Sequence, residues 1–185
     1  MPAHRPHRPL AAASGTLALL GALAAAPLAF AQEAGAAAAA APCAAPEHRQ
    51  FDFWLGDWDV TTPDGKPAGT NRITRPLGDC VLQEHWKGRG GSSGESYNIY
   101  DRSTGRWHQT WVDDRGTLLL LDGGLEGGNM VLRGGKRRVQ GRPQLDRITW
   151  RPVGADEVHQ VWEISTDQGK TWSVLFHGVY RRKKS

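Results

Sequence analysis

Glycine-bearing turns interrupt this chain from residue 56 onward, and no stretch between two of them exceeds about a dozen residues. The breaks fall at Pro63-Asp64-Gly65-Lys66, Gly78-Asp79, Gly88–Gly94, Ser103-Thr104-Gly105, Asp114-Arg115-Gly116, Gly123–Gly128, Gly134–Gly141, Gly154-Ala155-Asp156 and Asp167-Gln168-Gly169. Between them lie short runs rich in β-branched and aromatic residues, which favour the extended chain. The pattern predicts ten strands, over residues 57–62, 68–76, 80–87, 95–101, 106–113, 117–122, 129–133, 145–152, 158–165 and 171–181. Parallel neighbours would need long crossovers, so the strands must run as an antiparallel meander. A sheet of that size curls into a barrel or splits into a sandwich, and closure removes both exposed edges. An all-β, roughly ten-stranded barrel is therefore expected. The one segment with helical potential, Glu47–Leu55, is too short to be more than a plug before the first strand.

Ahead of this body the chain changes character. Leu10–Ala31 is an apolar, alanine-rich run behind Arg5 and Arg8, the pattern of a secretory leader, and Ala29-Phe30-Ala31 sets small residues three and one before a cut at Gln32. Residues 1–31 are thus expected to be a signal peptide. Residues 32–46, QEAGAAAAAAPCAAP, hold almost nothing large enough to bury and read as a flexible spacer, with the barrel domain over 47–185. Export to the periplasm or beyond the cell meets an oxidising compartment, where thiols pair. The two cysteines, Cys43 and Cys80, are then expected to join. Their loop would contribute about 3 kcal/mol in the chain-entropy model. The other reading is two free thiols, Cys80 buried and Cys43 exposed.

The chain carries 23 basic and 19 acidic residues, and losing Arg5 and Arg8 with the leader lowers its net charge from +4 to +2. Basic residues cluster only at Lys136-Arg137-Arg138 and Arg181-Arg182-Lys183-Lys184, which argues against a nucleic-acid surface. No second apolar run is long enough to span a bilayer, so no stable membrane insertion is expected after leader removal.

Phe51-Asp52-Phe53-Trp54-Leu55-Gly56-Asp57-Trp58-Asp59-Val60 sets a Gly-x-Trp motif at the entry to the first strand. With GDCVLQEHW, YNIYD, WHQTWVD and STDQGKTW following in order, the chain resembles a family of exported bacterial lipocalin-like (calycin) proteins of unknown function, over residues 46–182. Nitrobindin-type barrels are more distant. The resemblance implies a calycin barrel in which Trp58, after Gly56, closes one end by stacking on an arginine of the last strand, Arg181 or Arg182. It implies no particular ligand, because calycins carry fatty acids, retinoids, haem or nothing known. Nitrobindin-type barrels bind haem through a late-strand histidine, and His177 stands late enough. On its strand His177 shares a face with Ser173, Leu175 and Val179, opposite Trp172, Val174, Phe176 and Tyr180, and alternation alone leaves open which face points inward.

Catalytic chemistry finds little support. His48, His85, His108, His159 and His177 make no close pair with ligand spacing, and neither cysteine lies beside a second ligand, so no metal site is expected. Gly91-Ser92-Ser93-Gly94 has no helix after it and is a loop, not a nucleophile elbow. Glu84 is read as the one mid-strand carboxylate beside aromatic neighbours, with Glu163 a weaker second. Ser165-x-Asp167-x-Gly169-x-Thr171-Trp172 matches an Asp box, but a single copy does not build a propeller. The motif reads as a turn that Asp167 caps, with Gly169 at positive φ and Trp172 packed over the hairpin. No catalytic residue and no cofactor are assigned.

Strand alternation carries the binding argument. Trp107, Gln109 and Trp111 share one face of their strand, Gln160 and Trp162 one face of theirs, Glu84 and Trp86 another, and Asn98 lies with Ser96 and Tyr100. If these faces are the interior, Glu84, Trp86, Asn98, Trp107, Gln109, Trp111, Gln160 and Trp162 line a pocket for a small, partly apolar molecule: apolar walls with sparse polar groups. The opposing reading is a solid core whose amides bond to one another.

Overall fold

The computed structural model describes residues 42–184. The expected leader, residues 1–31, and residues 32–41 of the expected spacer lie outside the described residues. The body is all-β, with strands β1 (Gly56–Thr61), β2 (Pro67–Thr74), β3 (Val81–Gly88), β4 (Ser93–Asp101), β5 (Arg106–Asp113), β6 (Leu118–Glu126), β7 (Asn129–Gly134), β8 (Arg137–Val139), β9 (Arg142–Pro152), β10 (Glu157–Ser165) and β11 (Ser173–Arg182). Neighbours in sequence pair antiparallel, except that β7 passes over β8 to reach β9; β11 then returns to β1 and closes a ten-stranded barrel.

β8 lies outside the ring and pairs with β9 alone. The sequence places this segment within the turn Gly134–Gly141. Gln140 and Gly141, both at positive φ, reverse the chain tightly enough that Arg137–Val139 lies back along Arg142–Gln144.

The expected plug helix over Glu47–Leu55 takes the form of two 3-10 turns, Pro46–Arg49 and Asp52–Trp54. So short a helix gains little from its own hydrogen bonds. Breaking it at Phe51 turns both Phe51 and Trp54 fully into the barrel. Phe51 stacks on Trp54 at 5.0 Å between ring centroids and meets Trp150 at 5.1 Å and Trp107 at 5.7 Å, edge to face. Each such ring removes roughly 150–250 Å² from water, so this cluster is the main apolar anchor of the closed end.

The same end carries the staple. Trp58 Nε1 donates to the Trp54 carbonyl at 2.9 Å, and the Arg182 guanidinium lies 4.4 Å over the Trp58 ring while donating to the Leu55 carbonyl at 2.7 Å. Gly56 is required here: its φ is +125°, and a Cβ would overlap the guanidinium. The arginine is Arg182, the register partner of Trp58, and not Arg181. Arg181 sits opposite Asp59 on the outer face and pairs with Glu157 at 3.1 Å.

A disulfide joins Cys43 to Cys80 and ties the start of the described chain to the β2–β3 connection. Arg49 reinforces the junction by donating to the carbonyls of Cys43 and Asp79.

Candidate ligand-binding cavity

Toward the end where the β3–β4 and β5–β6 turns lie, the barrel interior is not filled. A cavity of about 350 Å³ remains. Glu84, Trp86, Gln109, Trp111, Gln160 and Trp162 line it. Asn98 and Trp107 face inward but lie deeper. Trp107 packs in the aromatic plug and donates to Gln50 Oε1 at 3.1 Å, while Asn98 donates to the Leu82 carbonyl at 3.1 Å and to Ser96 Oγ at 3.0 Å. Alternation fixes a face but not a depth along the barrel axis.

The floor is a directed hydrogen-bond network centred on Glu84. Ser96 Oγ donates to Glu84 Oε2 at 2.6 Å and Asn71 Nδ2 to Oε1 at 2.7 Å. Because the serine proton is committed to the carboxylate, Ser96 can only accept from Gln109 Nε2, which it does at 3.2 Å. The amide oxygens of Asn71, Asn98 and Gln109 are left buried without a partner. Burial pushes the Glu84 carboxyl up to about 7, against the bonds from Ser96 and Asn71, which pull it down. Burial, and then the nearby Glu84, raises the Tyr180 hydroxyl well above its ordinary range, so Tyr180 remains a proton donor and bonds to Gln160 Oε1.

The walls are aromatic, and glycines on the neighbouring strands make room for them. A Cβ at Gly94 would overlap the Trp111 ring, and one at Gly69 would lie 2.8 Å from the rim of the Trp86 ring. Trp86 in turn meets Phe176 edge to face at 6.0 Å. These inward glycines went unread because a strand glycine in sequence looks like a weak strand or a bulge.

Asp146 is a second buried carboxylate that sequence reasoning missed. It accepts from Trp162 Nε1 at 2.9 Å, from Gln144 at 3.0 Å, and from Arg137 at 2.5 and 3.0 Å. Its signal was the alternation Gln144-x-Asp146-x-Ile148-x-Trp150, which sets it on the face of two apolar residues. Glu163, the carboxylate read as second to Glu84, instead pairs with Arg147 at 2.9 Å, beside Trp172, which Arg147 stacks upon at 4.2 Å. Asp167 forms the expected turn cap, accepting from Ser165 and Thr171.

His177 does not line the cavity. Its Nε2 lies 3.4 Å from Nδ1 of His159, whose other nitrogen meets Glu157 at 2.9 Å. Burial, then the charges of His159 and Arg151, lowers its pKa. Tyr180 and Phe176 of the same strand line the cavity, and so does Leu175, through the register shift opposite Trp162 and Glu163.

Compared with family models and with curated protein sequences, the chain matches none.

Proposed function

We propose that this is an exported binding protein, a member of the lipocalin-like group it resembles, that holds a small, partly apolar molecule inside its barrel. The observation that carries the reading is the division of the interior. Aromatic rings pack the closed end solidly, whereas the other end keeps about 350 Å³ bounded by indoles and a polar floor. That volume lies at the lower end of the range for small-molecule sites. The Cys43–Cys80 disulfide supports an oxidising compartment, and we place the protein in the periplasm or outside the cell. We assign it no reaction.

The test is a tryptophan-fluorescence screen with fatty acids, haem and small aromatic compounds, repeated on Gln109→Leu and Glu84→Gln. Quenching by at least one class, with affinity altered by a substitution, is expected. No binding by any class, with substitutions that change only stability, would make the floor a structural polar core. Haem is expected to fail, because the candidate axial ligand His177 is turned away from the cavity.

A second reading, an interaction protein, draws on the outer face of β4–β6. There Tyr97, Val112, Leu118 and Leu120 are exposed on adjoining strands, with Val112 opposite Leu118. Soluble monomers tend to avoid such patches. Light scattering across a concentration series separates the readings: a monomer that binds small molecules favours the first, a stable oligomer that binds none the second.

A further inference from the structure

The cavity's polar groups are directional, and together they define the chemistry of the molecule that fits. Asn71 Nδ2 donates to the Tyr180 hydroxyl at 3.5 Å, and the Tyr180 hydroxyl donates to Gln160 Oε1. This chain fixes the Gln160 amide with its donor end, Nε2, away from Tyr180. Among the described residues Nε2 has no acceptor, in a residue that is 8% exposed and lines the cavity. An N–H donor therefore waits for a partner at the floor. Glu84 lines the same floor with both oxygens already accepting bonds, so an anion placed there would meet oxygens whose bonds are taken and, wherever Glu84 is ionised, a like charge.

The mouth has the opposite character. Arg89 and Arg115 line it, and neither guanidinium lies in a salt bridge among the described residues. Asp113 accepts the backbone N–H groups of Arg115 and Thr117, and Asp114 accepts from Ser93 at the start of β4 at 2.7 Å, but neither carboxylate lines the cavity, whereas both arginines do. Between mouth and floor stand Trp86, Trp111, Trp162 and Phe176. Flat aromatic walls favour a flat ring.

Resting on the binding reading above, we propose that the ligand is an aromatic carboxylate whose far end is a neutral hydrogen-bond acceptor. The acceptor takes a hydrogen bond from Gln160 Nε2, the ring lies between the indoles, and the carboxylate meets Arg89 and Arg115. Gln160 is then the residue that selects the buried end, and the two arginines select the charged one.

The experiment uses three matched probes, read by calorimetry and tryptophan quenching on the purified chain. They are 3-(4-acetylphenyl)propionate, its isopropyl isostere, which lacks the carbonyl, and the neutral amide of the acetyl acid. The acetyl acid should bind about tenfold more tightly than the isostere, the loss expected when a buried donor goes unpaired. Gln160→Leu should erase that difference. Should this variant fail to fold, the comparison on the unaltered chain decides the point alone. The amide should bind several-fold more weakly than the acid at low salt, with a gap that narrows as salt rises and vanishes in the Arg89→Ala, Arg115→Ala double variant. Equal affinity of acetyl and isopropyl acids, or of acid and amide, overturns the proposal. Neutral N-phenyl-1-naphthylamine separates the two levels of failure. If it binds while none of the matched probes does, the ligand class is wrong and the cavity still binds; if it too is rejected, both readings fall.

Discussion

Glu84 is held between two opposing influences. Burial disfavours its charge, while Asn71 and Ser96 both donate to its oxygens and favour it, and burial dominates, bringing the pKa from 4.5 to about 7. A folded-state pKa above the unfolded one means the folded protein holds this proton more tightly. The stabilisation is complete below about pH 4.5 and is lost as pH rises through about 7. Urea titrations at stepped pH should show this decline, on the order of 3 kcal/mol at most, and Glu84→Gln should flatten it. An unchanged profile in the variant would show that Glu84 does not titrate in this range. At the closed end, Trp58→Ala removes a buried indole, its bond to Trp54 and the Arg182 stack, and should cost about 3–5 kcal/mol. A loss under about 1 kcal/mol would mean that the ring does not hold the barrel end. Sequence made Trp58 legible but not its partner, because Arg181 and Arg182 are adjacent and a one-residue shift in register exchanges their faces.

Elements were legible wherever a strand kept strict alternation. Glu84 with Trp86, Gln109 with Trp111 and Gln160 with Trp162 lie on inner faces because nothing interrupts the pleat between them. β11 departs from this: Trp162 pairs with Phe176 but Glu163 with Val174, so Leu175 is skipped. Val174, expected on the face of Phe176, is 61% exposed, and Leu175, itself 52% exposed, borders the cavity. A bulge of this kind leaves no mark in residue types. The β8–β9 hairpin was hidden for another reason: three paired residues at a turn lack the length for a pattern, yet they deliver Arg137 to the fully buried Asp146. Arg137→Ala strands that carboxylate beneath Trp162 and should cost about 3 kcal/mol in chemical unfolding. A cost under about 1 kcal/mol would place the pair with surface ion pairs. Gly94→Ala acts across two strands, pressing a methyl group into the Trp111 ring, and should destabilise by about 1–3 kcal/mol while altering probe binding. Unchanged stability and binding would show that the ring has room to move.

At the scale of the whole molecule, closure followed from arithmetic on turns: many short antiparallel strands with no helix to cover a face leave the ring as the arrangement without open edges. What sequence could not supply was the occupancy of that ring. Whether inward indoles meet in the middle or stand apart depends on strand tilt and on the inward glycines, and both are properties of the assembled barrel. The disulfide acts at this scale too, because it fastens the chain before the plug to the β2–β3 connection, across 37 positions of sequence. By the chain-entropy model its reduction should lower stability by about 3–4 kcal/mol, and for a domain of this size that shifts the melting temperature by on the order of 10 °C. Neither cysteine lines the cavity, so ligand affinity at a temperature where the reduced protein is still folded should be unchanged. Thermal melts and probe titrations of reduced, alkylated protein check both statements. A fall in affinity alongside the fall in melting temperature would show that the plug end and the cavity are coupled, and that the barrel is not a rigid wall between them.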